Sequence, residues 1–238
     1  MSKLFYDLHI HSCLSPCGDQ DMTVNNIINM SMLTELDVIA LTDHNSCKNC
    51  PAFFEAGKES GKVLIAGMEL TTSEEIHVVC LFENLDDAMR FDEYVYERLP
   101  DIENEPEIFG EQVILDCEDN EIGEVKKLLI NATSISIEDV AELSKAFNFA
   151  AFPAHIDKQS FSILASLGYI PEEYGFTAFE VKDPSKVESL KAMHPALNGA
   201  VILTDSDAHY LEHISEAENF FEDCEKSASA VIRKIKKI

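Results

Sequence analysis

The chain has 238 residues, 46% hydrophobic and 26% charged, the balance of one ordinary soluble globular core, so a single domain over residues 1–238 is expected. Acidic residues outnumber basic ones by 44 to 18, and the net charge of −26 would repel an extended polyanion, so no long nucleic acid is expected as a partner. No window approaches the ~18 apolar residues of a membrane span, and the start of the chain has no apolar stretch suited to a signal peptide, which predicts a cytoplasmic protein without a membrane partner.

In chain order, short β-branched or aromatic runs predict strands near residues 5–11, 38–42, 63–68, 76–82, 149–154, 178–181 and 200–204. Helix-period segments lie between most of them, at 24–36, 51–60, 86–99, 137–147, 160–167 and 184–194, with a last helix within 228–238. Pro51 and Pro184 suit a first helical turn, and Ser136 with Asp139 three residues on has the pattern of a capping box. Strands alternating with helices imply a largely parallel sheet with helices outside, the arrangement of a (βα) barrel. The stretch 100–133 breaks the alternation. It holds an acidic loop and two apolar runs flanking Cys117-Glu118-Asp119-Asn120, which predicts a β-hairpin insertion, read either as a substrate cap or as a plain excursion.

Six of the eight histidines fall in short clusters at or just past these strands: His9 and His11, His44, His77 with Glu69 before it, His155, and His209 with Asp207. Residues two apart on a strand share a side, so His9 and His11 can present both rings to one ion, and Asp207 with His209 repeats the device. A barrel gathers its strand ends at one face, which brings these groups into one pocket. His77 instead opens its strand, so that strand is expected to be irregular or reversed.

The pieces Asp7-Leu8-His9-Ile10-His11-Ser12, Leu41-Thr42-Asp43-His44-Asn45, Gly67-Met68-Glu69, Glu75-Ile76-His77, Pro153-Ala154-His155 and Ser206-Asp207-Ala208-His209 together resemble the polymerase and histidinol phosphatase (PHP) family of metal-dependent phosphoesterases. The resemblance implies an α/β fold, a distorted (β/α)7 TIM-like barrel with a small hairpin-containing insertion, and two or three divalent ions (manganese, zinc or ferrous iron) at its mouth. It places His9, His11, Glu69 and Asp207 on a first ion. A second would be shared through Glu69 and completed by His77 and His155, and a third would use His44 and His209. Glu69, Asp207 and His209 are implied as catalytic, and Asp7 and Asp43 as carboxylates that orient a ligating histidine. The family often completes the third ion with a residue after its second histidine. Here Cys17 or Asp19 takes that place, with Cys17 preferred; a thiolate would favour zinc or iron over magnesium.

Seven cysteines, an odd number, argue for reduced thiols. Cys13, Cys17, Cys47 and Cys50 admit an extra zinc or iron–sulfur site, but small buried side chains or a redox-labile pair is the favoured reading. Lys158 and Lys182 follow strands and are candidates for binding a substrate phosphate, with exposed surface lysine the plainer alternative. His194 and His213 are read as structural or solvent-facing. The leading functional reading is hydrolysis of a small phosphate ester, possibly a nucleotide, by a metal-bridging hydroxide. Exonuclease-like cleavage of short oligonucleotides and a non-catalytic metal- or redox-sensing module are the alternatives.

Overall fold

A computed structural model describes residues 3–238; Met1 and Ser2, the first residues of the stretch read for an export signal, lie outside the described part. The chain runs β1 (Lys3–Ile10), α1 (Val24–Leu33), β2 (Val38–Leu41), α2 (Cys50–Gly57), β3 (Val63–Thr71), β4 (His77–Phe82), α3 (Leu85–Tyr96), α4 (Pro106–Phe109), β5 (Val113–Leu115), β6 (Glu121–Glu124), α5 (Val140–Ala146), β7 (Phe149–Pro153), α6 (Ile163–Leu167), β8 (Ala178–Glu180), α7 (Val187–Met193), β9 (Val201–Leu203), β10 (Phe220–Glu222) and α8 (Ala228–Lys236). Each of the predicted strands overlaps an observed one. The architecture is a mixed α/β fold whose main sheet, in order β10-β1-β2-β3-β4-β7, curls into a half-barrel.

Strands β1, β2 and β3 are parallel, whereas β4 runs antiparallel to both β3 and β7. This reversal, anticipated from His77, places the start of β4 beside the end of β3, with Thr71 opposite His77. Beyond the main sheet, β8 and β9 form a separate parallel pair. Sparse links continue the curl: Ile156 N donates to Glu180 O at 2.9 Å, and Ile10 bridges Ala208. The sheet therefore does not resolve into seven equal βα units. Also unanticipated is β10, a three-residue strand too short to show a period, which pairs antiparallel with β1.

Two apolar layers sandwich the sheet. Tyr6, Leu8, Val38, Ala40, Ile65, Val79, Leu81 and Phe152 fill the concave side, closed by Phe221 and by Val231, Ile232 and Ile235 of α8. Ile10, Ile39, Leu41, Phe53, Phe82, Phe91 and Phe149 pack on the outer side under the helices. On a regular strand Leu8 and Ile10 would face the same way; here they do not. The register between β1 and β2 slips between Asp7 and Ile10, a bulge that reverses the side-chain phase. Leu8 and His9 thus both turn toward the concave side, and Asp7 is left outside it.

The stretch 100–133 contains α4 and the antiparallel β5–β6 hairpin, which lies on the loop after β1. Gly110, at φ +98, is needed there because a Cβ would lie 2.0 Å from Pro16 O. Asn49 acts as the latch. Its amide donates to Val113 O at 3.1 Å and to Ser12 Oγ at 3.0 Å, while its carbonyl accepts from Leu115 N at 2.9 Å. Asn49→Ala should free the hairpin at a cost of about 1–3 kcal/mol. Faster limited proteolysis within 100–133, with far-UV circular dichroism unchanged, is the expected result.

Candidate metal centre

The ends of β1, β2, β3 and β7 and the start of β4 converge on Glu69, which is completely buried. Its Oε1 lies 2.9 Å from His77 Nδ1 and 3.2 Å from both His155 Nε2 and His9 Nε2. Its Oε2 lies 2.9 Å from His44 Nδ1 and 3.4 Å from His11 Nε2. Asp207 approaches from the other side, with Oδ1 3.6 Å from His9 Nε2 and 3.4 Å from His11 Nε2. Three overlapping groups have ligand atoms all within 4.8 Å of one another: His9, His11, Glu69 and Asp207; His44, Glu69 and His77; and His11, His44 and His209.

The first group has the composition expected for the first ion. The second differs from expectation, since His44 joins Glu69 and His77 while His155 lies to one side, its ring stacked on His9 at 6.0 Å. Because an imidazole nitrogen serves one ion at a time, His11 and His44 cannot count in two groups at once, and a third ion would need a further donor. Cys17, exposed at the rim, lines the cavity over the cluster but belongs to none of the three groups. Asp19 is turned away, its carboxylate accepting from Asp21 N at 2.9 Å.

The donor atoms fit cations better than they fit one another. His9 Nδ1 meets Glu180 Oε2 at 2.7 Å, and His11 Nδ1 meets Ser15 Oγ at 3.0 Å, a hydroxyl that itself donates to Asp43 Oδ1 at 2.7 Å. Both rings are thereby held with Nε2 toward the cluster, and these two nitrogens stand only 3.2 Å apart. His44 Nδ1 and Glu69 Oε2, although close, form no hydrogen bond and have no other partner. Buried donor atoms that converge without bonding are what a cation would satisfy. Mixed imidazole and carboxylate ligands suit manganese, iron or zinc.

Electrostatics agree. Burial raises the Glu69 carboxyl, but His77, His9 and His44 outweigh it and hold the pKa well below the usual range. Burial likewise raises Asp207, and His9 and His11 more than reverse it. Burial lowers His11, yet the nearby carboxylates of Asp207 and Glu69 lift it to about 9; burial lowers His44, and the charge of Glu69 lifts it to about 9. Burial and the charge of His11 drive His209 down to about 3.

The two carboxylates expected to orient histidines do not touch a ring. Asp7, turned outward by the bulge, accepts from Ser206 N and Ser215 N, both at 3.0 Å, and so ties down the loop that carries Asp207. Asp43 accepts from Ser12 N and Ser12 Oγ, both at 2.7 Å, and reaches His11 only through Ser15. The carboxylate in direct contact is Glu180, completely buried at the end of β8. A charged residue closing the apolar run Ala178-Phe179-Glu180-Val181 was its signal in the sequence. Ser15 had none.

Lys158 lies at the mouth, paired with Asp207 Oδ2 at 2.5 Å, and Lys182 donates to Ser206 O beside it. Both line a cavity of about 850 Å³ with Tyr210 and His213. A second cavity, of about 310 Å³, opens over the metal cluster, and the two share Cys17, Lys158, Asp207 and His209. His194 caps the C-terminus of α7 and belongs to none of the ligand groups. Among the described residues no four-thiol site forms: Cys13 packs against Val113 and Leu115, Cys47 and Cys50 both face Gly67 O, and Cys17 is exposed at the rim.

Residues 7–121 match the family model of the PHP domain. The match lies over the half of the chain that carries the first four of the histidines brought together here. No curated protein matches the chain. Among solved structures it is similar to the lesion-specific endonuclease Q of Pyrococcus furiosus (19% identity, TM-score 0.73), matched over 100% of this chain and 56% of that one. It is also similar to an endonuclease Q bound to a 27-mer duplex with an abasic lesion at the active site (18%, TM-score 0.68; 100% and 57%). A third likeness is to a protein assigned as a metal-dependent phosphoesterase from Bifidobacterium adolescentis (17%, TM-score 0.63; 97% and 94%). The chain thus spans just over half the length of the endonucleases, and at these identities the likeness speaks for the fold. The endonucleases' DNA substrate is at odds with the expectation drawn from charge. No helix among the described residues is long and apolar enough to cross a membrane.

Removing the carboxylate behind His9 in Glu180→Ala should weaken metal binding about 10–100-fold, read by competition with a chelating dye. Metal affinity should also climb steeply with pH. In the metal-free chain protons on His11 and His44 stand where cations would, and their folded pKa of about 9 exceeds the ordinary 6.5. That contribution to stability is complete below about 6.5 and lost as pH rises through about 9. The metal-free melting temperature should therefore fall over this window while zinc or manganese affinity rises, with protons released on binding in calorimetry.

Proposed function

We propose that this chain is a PHP-family phosphoesterase that hydrolyses a small phosphate ester at the metal cluster, as a single PHP-type barrel domain over residues 1–238 with 100–133 as a partial cap over the mouth. The observation that carries the reading is the convergence of His9, His11, Glu69 and Asp207 on one point at the floor of a cavity large enough for a ligand. Divalent ions bound there would lower the pKa of water and neutralise charge on the phosphoryl oxygens. His9, His11, Glu69 and Asp207 would hold one such ion, and Glu69 with His44 and His77 would hold another. His155, 3.2 Å from Glu69 Oε1, would complete that second set. Lys158, in contact with Asp207 and lining both cavities, is placed to leave that carboxylate for a substrate oxygen, and Lys182 extends the positive edge. His209, at the rim and kept neutral, has a free ring nitrogen that would ligate an ion together with His11 and His44. Cys17 as a further ligand would bias the site toward zinc or iron.

A second reading, cleavage of DNA, is favoured by the full-length match to endonuclease Q. The −26 charge weighs against it, as does the absence of any basic strip with interleaved aromatics. A non-catalytic metal sensor is disfavoured by the cavity that opens directly over the donor cluster with Lys158 at its edge.

Glu69→Gln should lower turnover of phosphate esters by at least about 100-fold, because the neutral amide can no longer hold two cations together. His194→Gln should remain within about twofold of wild type, since surface changes away from such features cost little. Both are to be measured with manganese and with zinc in excess; near-normal Glu69→Gln would place the catalytic centre elsewhere. In parallel, salt-sensitive binding and incision of an abasic duplex, without turnover of small esters, would replace the leading reading with the nuclease one.

A further inference from the structure

Phe161 is an outlier. It sits at φ +54, in the left-handed region that a bulky side chain rarely adopts. The backbone there is held by the bond from His77 N to Phe161 O, 3.0 Å long, and by Ser162, a buried residue that caps α6 by accepting from Ala165 N. This conformation lays the phenyl ring against the imidazole of His77, with centroids 4.8 Å apart and planes inclined by 21°, yet leaves the residue 45% exposed. A core role is therefore excluded: one face of the ring is used and the other is open. The open part lines the 310 Å³ cavity above the metal cluster, across which Ile130 of the insertion supplies an apolar side chain. The larger adjoining cavity is polar by contrast, with Lys158, Lys182 and His213.

A phosphoryl group over the metal cluster and beside Lys158 stands where the two cavities meet, so its ester substituent must lie in one of them. We infer that Phe161 and Ile130 form a specificity platform that receives a planar aromatic substituent of the ester, stacked on the open face of Phe161. This rests on the phosphoesterase reading: water is added across the P–O bond, giving free phosphate and an aromatic alcohol or enol whose oxygen takes the proton. Strain kept at a half-exposed aromatic beside a reactive centre is a pattern associated with function, and a ring face already fixed by His77 loses no mobility on binding. A flexible aliphatic group of equal size would gain apolar burial but not the stacking.

The test is binding as well as turnover, on the full chain loaded with manganese. Phenylphosphonate and its saturated, non-planar counterpart cyclohexylphosphonate are titrated by calorimetry, and phenyl and cyclohexyl phosphate are used as substrates. Wild type should prefer the phenyl compound by at least about fivefold, the low end of aromatic stacking. Phe161→Leu, which keeps bulk, should erase the preference without weakening cyclohexylphosphonate, and Phe161→Tyr should retain it. Equal binding of the two by wild type, binding of neither, or a preference that survives in Phe161→Leu overturns the platform. Selective phenylphosphonate binding without turnover of any ester would sustain the platform and sink the phosphoesterase reading; turnover of both esters at equal efficiency would do the reverse.

Discussion

One buried negative charge organises this protein. The Glu69 carboxylate is removed from water entirely, and the cost of desolvating such a group is several kcal/mol unless positive charge and hydrogen bonds surround it. Five imidazoles do so, from β1, the loops after β2 and β7, and the start of β4. Neutral imidazoles alone would not balance the charge. The shell is stable only with protons or metal ions within it, which makes protonation and metal loading two occupants of the same space.

Bringing those groups to one point distorts the backbone. The bulge in β1 turns His9 inward after Leu8, and Asn45, His155 and Asp207 hold φ of +47, +29 and +50 just past their strands. Such conformations cost on the order of 1–3 kcal/mol each, and the neighbouring structure has to hold them in place. Asn45 shows how. Its side chain accepts from Thr71 N at 2.8 Å and donates to Leu129 O and Asn131 O at 2.7 and 2.9 Å, tying β3 and the end of the insertion to the same turn. Asp7 does the corresponding work at the far end of the chain, where its carboxylate fixes Ser206 and Ser215.

The sequence exposed the strands and the histidines because both leave periodic or local traces: apolar runs that end in a ligand, and His-x-His spacing. Even the reversal of β4 was legible, since His77 precedes its strand where the others follow theirs. What stayed hidden depends on contacts between distant positions. Asp7 and Asp43 look alike beside their histidines, yet a single inserted residue in β1 sends Asp7 outward, and Asp43 acts through Ser15, a residue with no distinguishing pattern. Glu180 is far along the chain from His9 and meets it only when β8 comes round toward β1. The exposed ring of Phe161 was invisible because nothing in a sequence marks a left-handed phenylalanine.

The β3–β4 hairpin gives the centre an uneven history within each folding event. Glu69 and His77 are eight residues apart and meet across a tight connection, so their half of the ligand shell closes at small entropic cost and on the timescale of a hairpin. His9 and Asp207 come from opposite ends of the chain and can meet only after the intervening strands have curled. The shell therefore matures from a local half outward, and a metal ion captured early by Glu69 and His77 would act as a template on which the distant half is registered.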